Sequence, residues 1–323
     1  METQKIKGLQ DKQTVETFFL VKDKNVGLGK NGRPFMSVLL GDDSGTLDGR
    51  LWDRVDETSK EFDIGDIVKI KGLVQSFQNR LQLVIHKLEK PEQQAFNLED
   101  YLPKVSKKVE DMFTELVTIV RSVQNDFLRQ LMMDVLEDPE IKPKLLKAPA
   151  ARSIHHAWLG GLLEHIVSIA QLMNFMGQHY SFLNKDLLIF GALFHDLGKI
   201  WELSYDNGIR YTDRGRLIGH MMMSYELVEK KASRIFGFPE ELKDICKHII
   251  LSHHGKLEYG SPKRPKTLEA LMVAMIDELD SKVASAHSFV ESERTHGEKW
   301  SRLNDQFERY FLLDDMNQKW KPS

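Results

Sequence analysis

The hydrophobic pattern of this chain changes character near Pro91, and that change limits it to two different kinds of folded unit. Residues 13–90 are short runs rich in Val, Leu, Ile, Phe and Thr: TVETFFLVKD, RPFMSVLLGD, GTLDGRLWD, DIVKIKGLVQSF and RLQLVIHKL. Turn signals separate them at Gly27–Gly32, Asp42–Gly45, Ile64–Asp66 and Gln78–Asn79. Such runs between Gly, Asn and Asp clusters read as β-strands. From Asn97 the apolar residues recur at helical spacing, with Met112, Leu116, Ile119, Val120 and Val123 on one face.

Five strands with a helix-capable piece, Arg54 to Phe62, between the third and fourth predict an OB-like five-stranded β-barrel over residues 1–91. An SH3-like barrel shares the strand count, and the longer connection between strands three and four favours the OB arrangement. Residues 92–150 read as a helical linker, with a second helix from about Asn125 to Leu136 and a proline-broken connector at 141–153. Residues 151–290 read as an all-α domain, with helices expected at 156–178, 184–197, 215–236, 239–252 and 266–287. A C-terminal helical tail is expected over 291–323, its helix spanning about 289–312. The fold class is therefore multidomain α and β.

Length and composition agree. The chain has 323 residues, enough for two or three units, and 41% are hydrophobic, as in a folded rather than disordered protein. Its single cysteine, Cys246, excludes an intramolecular disulfide and a thiolate zinc site. The polar start METQKIKGLQ lacks the apolar segment of a signal peptide, and the apolar run 187–194 is too short to span a bilayer. No membrane partner is expected, and the cytoplasm is the expected location. The net charge of −3 does not favour a nucleic-acid binder, yet a local basic groove can act independently of the total.

The helical region carries an ordered set of polar residues in apolar surroundings. His195 and Asp196 follow LLIFGALF; His165 lies in GGLLEHIVSIA, His220 in GRLIGHMMMS, His253 and His254 in ILSHHG, and Asp277 in LMVAMIDELD. Burying one such group without a partner costs on the order of 1–3 kcal/mol. Seven of them across five helices call for a shared explanation, and a metal cluster is the simplest. His86, His179, His248 and His287 stand outside this pattern and read as ordinary structural histidines; His155 can be read the same way.

The order H…HD…D, at His165, His195, Asp196 and Asp277, resembles the HD superfamily of metal-dependent phosphohydrolases. The added His220, His253 and His254 resemble the subset that holds two metals, as in HD-GYP phosphodiesterases. Lys199, in HDLGK, matches the lysine that subset uses on the substrate phosphate. The GYP tripeptide itself is absent from HHGKLEYGSPKRP. A glutamate that some of these proteins use as a further ligand is replaced by Gly161, and Glu164 would point elsewhere. Over nearly the whole chain, HHAWLGGLLEH, HDLGK, TDRGRLIGH, ILSHHGKLEYGSP and MIDELDSK resemble the blocks of the YhaM-type 3′–5′ exoribonucleases of bacteria. That resemblance implies a metal-dependent 3′–5′ exoribonuclease, acting on single-stranded RNA, with single-stranded DNA left open, and releasing nucleoside 5′-monophosphates through a two-metal-activated water.

Imidazole and carboxylate ligands without a thiolate favour Mn²⁺, Fe²⁺, Co²⁺ or Zn²⁺ over Mg²⁺ or Ca²⁺, and the resemblance implies Mn²⁺ first among them, or Co²⁺. His165, His195, Asp196 and Asp277 are expected to hold one ion, and Asp196 to bridge to a second on His220, His253 and His254. Asp196 and Lys199 are the expected catalytic residues. Lys199, Arg216 and His156 are the expected substrate contacts, and Asp280 an outer partner for a ligating histidine; a solvated arginine and a surface carboxylate are the plain alternatives for Arg216 and Asp280. On the barrel, the segment around Lys22, Lys24, Lys30, Arg33 and Phe35, together with Trp52 and Phe77, is the expected nucleic-acid surface. The competing reading for Phe35 and Trp52 is barrel core. A cyclic-dinucleotide phosphodiesterase or nucleotidase is the alternative activity, and a non-catalytic nucleic-acid-binding protein the third reading. A homo-oligomer is left open.

Overall fold

The computed structural model describes residues 4–29, 32–77, 80–91, 101, 107–151, 158–205, 209–294 and 298–314. Strands β1 (Thr14–Leu28), β2 (Pro34–Asp42), β3 (Gly45–Leu51), β4 (Ile67–Phe77) and β5 (Arg80–Glu89) close into a barrel in the order β1-β2-β3-β5-β4. All pairings are antiparallel except β3 with β5, where Asp48 stands opposite Gln82 and Leu51 opposite Ile85. The alternation of inward and outward residues explains the closure. Val15, Phe19 and Val21 of β1, Met36, Val38 and Leu40 of β2, and Val68, Ile70 and Val74 of β4 share one buried core. The short helix α1 (Val55–Thr58) lies in the connection between β3 and β4, where helix-capable sequence was expected. The Lys24 ammonium donates to the Ser59 and Phe62 carbonyls at 2.9 and 2.6 Å, which commits this lysine to fastening that connection.

The helical part comprises α2 (Val109–Arg121), α3 (Asp126–Leu136), α4 (Ile141–Leu145), α5 (Gly161–His179), α6 (Lys185–Phe194), α7 (Lys199–Glu202), α8 (Asp213–Leu217), α9 (His220–Ala232), α10 (Glu240–Ser252) and α11 (Leu268–Arg294), with a small hairpin of β6 (Leu203–Ser204) and β7 (Arg210–Tyr211) after α7. Helix α6 is its centre. Every residue from Leu187 to Phe194 is buried, and the Asn184 side chain caps its start by accepting from the Asp186 and Leu187 amides. The stretch expected to be a linker is more than a connector. Met112, Leu116 and Val120 of α2 and Leu128, Leu131 and Met132 of α3 join the same core as α5 and α6. The single helix expected over 215–236 is two, because the chain turns at Gly219 (φ 78°), a conformation that costs a residue with a Cβ about 1 kcal/mol or more.

The expected C-terminal helical tail is corrected. Helix α11 ends at Arg294, and residues 298–314 form bridges Trp300–Leu312 and Asn304–Arg309 instead. The i, i+4 pair Phe307 and Phe311 looks helical in sequence, but Phe311 packs on Phe289 and Arg294 donates to the Leu313 carbonyl, so tertiary contacts fold the segment back along α11. Barrel and helices meet where Leu20 and Ile67 pack with Leu203 and Ile209, beside Asp66, which is 2% exposed and pairs with Arg210 and Lys90. Among the described residues no helix is long and apolar enough to cross a membrane.

Candidate metal centre

Five helix ends or faces deliver seven side chains to one place. His165 projects from the first half of α5, a helix buried on nearly every side there. His195 is the C-cap of α6 and Asp196 follows it, so the end of the most apolar helix carries both groups. His220 opens α9, His253 is the C-cap of α10 with His254 next, and Asp277 lies on α11. His165, His195, Asp196 and His253 are almost fully buried.

The ligand atoms fall into two sets, each able to hold a metal ion: His165, His195, Asp196 and Asp277 in one, and His220, His253 and His254 in the other. In the first, His165 Nε2 lies 3.2 Å from His195 Nε2, 3.3 Å from Asp277 Oδ1 and 3.6 Å from Asp196 Oδ2. The other oxygen of Asp196, Oδ1, faces the second set, 3.3 Å from His220 Nε2 and 3.6 Å from His253 Nε2. One carboxylate therefore looks into both sets. Three of these atoms, Asp196 Oδ1, His220 Nε2 and His253 Nε2, are buried yet make no hydrogen bond. A divalent cation satisfies such atoms, and nitrogen and carboxylate donors suit it, so the residues fit a metal.

Every imidazole is fixed through its Nδ1, which leaves Nε2 for ligation. His165 Nδ1 meets Asp280 Oδ2 at 2.9 Å, and His220 Nδ1 meets Glu202 Oε1 at 3.0 Å. His195 Nδ1 faces the Gly191 carbonyl at 3.0 Å, His253 Nδ1 the Ile250 carbonyl at 2.7 Å, and His254 Nδ1 the Tyr259 carbonyl at 2.9 Å. Outer partners of this kind set the tautomer and orient the ring. The expected outer role of Asp280 fits this geometry; its second oxygen accepts from the Ser168 hydroxyl. Sequence reasoning missed Ser168 and Glu202. Glu202 sits in the mixed run KIWELS, which shows no periodic sign of burial, yet its Oε1 also accepts from the His220 amide at 3.0 Å.

The electrostatics prepare the donors. Burial holds the His195 imidazole down at about 4, and burial with the neighbouring His253 holds His254 at about 4, so both are neutral at pH 7. Burial also disfavours the His165 cation, but hydrogen bonds to Asp277 and Asp280 overcome it and raise the group to about 9. Metal uptake at neutral pH must therefore displace a proton from His165. Burial opposes ionisation of Asp196, yet the Lys199 ammonium and the His195 ring hold its carboxyl well below the usual range. Lys199 lies against Asp196 Oδ2 and stays charged.

The other expected residues are placed as follows. Arg216 is exposed on α8, and Glu164 accepts from the Trp158 indole at 2.9 Å, which turns it away from the cluster. His156 and Lys30 lie outside the described residues. On the barrel Trp52 is 54% exposed rather than core, and its ring lies 5.2 Å from Phe35, with the Arg50 guanidinium 5.7 Å over Phe35. Arg33 is exposed near the start of β2. Phe77 is 60% exposed but stands elsewhere. It pairs with Arg80, two residues before Gln82, and so lies toward the Asp48 end of the β3–β5 pairing, whereas Trp52 follows Leu51 at the opposite end.

Asp280→Asn keeps the shape but removes the charged acceptor behind His165. Its Mn²⁺ affinity, measured by calorimetry, is expected to fall about 10–100-fold. Unchanged affinity would show that Asp280 does not support the ligand.

Comparison with known proteins agrees with this architecture. Residues 20–91 match the family model described as OB-fold nucleic acid binding domain. Among solved structures, the second OB-fold domain of replication protein A from Methanococcus maripaludis is similar at 23% identity, covering 29% of this chain and 99% of that one, with a TM-score of 0.24. The protein priB from Ralstonia solanacearum is similar at 12% identity, covering 24% of this chain and 97% of that one, with a TM-score of 0.21. Residues 162–282 match the HD domain model, a span that contains all seven residues of the cluster. The chain thus joins an N-terminal OB-fold to a helical HD domain, the unit of metal-dependent phosphohydrolases.

Proposed function

We propose that the protein is a 3′–5′ exoribonuclease that hydrolyses single-stranded RNA to nucleoside 5′-monophosphates, with single-stranded DNA left open as a second substrate. One observation carries the polymer reading: the barrel joined to the phosphohydrolase cluster presents an exposed Trp52 ring against the half-buried Phe35, beside Arg50. Aromatic faces with an adjacent cation are what single strands bind, at about 1–3 kcal/mol per stacked base. A free nucleotide or cyclic dinucleotide has no use for such a surface at a second domain. The 3′ polarity rests on the resemblance to the YhaM-type enzymes.

In this reading the centre would take two divalent ions, Mn²⁺ foremost: His165, His195, Asp196 and Asp277 would hold one, and His220, His253 and His254, which Asp196 Oδ1 also faces, would hold the other. When bound, such ions supply positive charge for phosphoryl oxygens and acidify water. The chain's own groups do the rest. The two neutral imidazoles at His195 and His254 leave lone pairs ready, and the buried cluster keeps bulk water away. The Lys199 ammonium, held beside Asp196, is placed to offset charge on a phosphate. Arg216 and His156 are proposed substrate contacts, as are Lys30, Arg33 and Phe77 on the barrel.

The test is 5′-labelled RNA incubated with the protein and Mn²⁺. A ladder shortening from the 3′ end, abolished by chelator and restored by Mn²⁺, is the expected result. Intact RNA and DNA alongside turnover of a cyclic dinucleotide would replace this reading with the small-molecule one. Trp52→Ala is expected to raise KM for a single-stranded 20-mer about tenfold while leaving hydrolysis of a minimal phosphodiester ester unchanged. Equal effects on both substrates would remove the barrel's role in binding.

A further inference from the structure

The face of α11 turned away from the metal cluster is unusually apolar. Asp277 and Asp280 point inward to His165, and Ala270, Val273 and Ala274 pack in the core. At 100° per residue, Leu271, Met275, Leu279 and Val283 form a continuous ridge on the opposite side. These four and Leu268 are 47–59% exposed. Isolated exposed apolar residues need no explanation, but a five-residue ridge on a 27-residue helix does.

The spacing states what the ridge can pack against. Consecutive i, i+4 positions form the ridge that interlocks with the same ridge of another helix, crossing at about −50°. That packing is self-complementary, so two copies related by a twofold axis present each other with the same surface. The area agrees. Side chains of this size at half exposure leave on the order of 100 Å² each, or about 500 Å² in total. A stable interface of about 800 Å² per partner, some 60% apolar, needs about that much.

Charge selects among partners. The exposed charges flanking the ridge, Glu278 and Lys282, neutralise each other at 2.5 Å along the helix, and Glu269 is engaged by the Asn184 amide. A second copy therefore approaches without net repulsion. A nucleic acid or an anionic membrane would call for unpaired cations along the ridge, and none of its five residues is charged.

We infer that the outer face of α11 is a homodimer interface, with the twofold axis crossing near Met275 and Leu279. The two metal clusters then face away from the interface, so each remains open to substrate. The inference does not depend on the substrate proposed above.

The experiment is light scattering coupled to size exclusion, with sedimentation across concentrations, on the full chain. Wild type is expected at twice the chain mass at micromolar concentration. The double variant Met275→Glu, Leu279→Glu places like charges across the axis and should weaken association at least 100-fold, with an unchanged circular dichroism spectrum. The native Cys246 is buried, so Met275→Cys or Leu279→Cys supplies a single accessible thiol that a short bis-maleimide should cross-link between copies. A wild type that stays monomeric overturns the inference. So does a dimer that survives the double glutamate variant, or a dimer in which neither introduced cysteine cross-links.

Discussion

Asp196→Asn is expected to lower phosphodiester hydrolysis at least about 1,000-fold, while the protein keeps its secondary structure. The reason is positional. Asp196 sends one oxygen toward His165 and His195 and the other toward His220 and His253. An amide of the same shape offers one neutral oxygen and one N–H donor, and the donor faces imidazole nitrogens or a cation whichever way it is turned. The charge that holds Lys199 in place is lost with it. Metal content measured alongside kcat/KM makes the result specific, because at least one ion should be missing or exchange readily. A variant with more than a tenth of wild-type activity and full metal content would mean that Asp196 is not the shared ligand.

That site was readable because burial and polarity conflict so plainly there. His165, His220 and Asp277 interrupt apolar helical stretches, and only a common purpose explains so many interruptions. The outer partners carry no such conflict. Glu202 and Ser168 sit where a surface residue is equally at home, and only the folded backbone brings them to His220 and to Asp280. The same limit applies to the barrel. Strand alternation tells that Phe35 and Trp52 belong to β2 and to the end of β3, but whether an aromatic at a strand end turns in or out depends on closure, and both readings of Phe35 and Trp52 were open. The apolar face of α2 was evident from Met112, Leu116 and Val120, whereas its partner was not, because periodicity names a face and not the surface it meets. The tail misled for the opposite reason: Phe307 and Phe311 keep helical spacing, yet contacts with Phe289 on α11 outweigh local preference.

Gly198→Ala is expected to damage stability and metal binding together. Gly198 lies two residues after Asp196 and packs on the start of α9. A Cβ there would stand 2.1 Å from the His220 carbonyl oxygen and 2.8 Å from its carbonyl carbon, both rigid backbone atoms. The backbone at Gly198 is right-handed (φ −59°), so any residue could adopt it; the obstacle is space alone. The amide of Gly198 also donates to the Ser224 hydroxyl at 2.8 Å, which ties the turn to α9 at a second point. A methyl group must therefore push the turn carrying Asp196 and the helix end carrying His220 apart. Overpacking of this kind costs about 3 kcal/mol, which in a domain of this size lowers the melting temperature by roughly 6–12 °C. Gly8→Ala is the matched control, since a Cβ there meets nothing within 4 Å. A Gly198→Ala protein that melts with wild type and binds Mn²⁺ equally would disprove the close contact between the turn and α9. The pair of variants also separates two roles of one segment: Asp196→Asn should lose metal through the ligand itself, whereas Gly198→Ala should lose it with every ligand still present, because it moves His220.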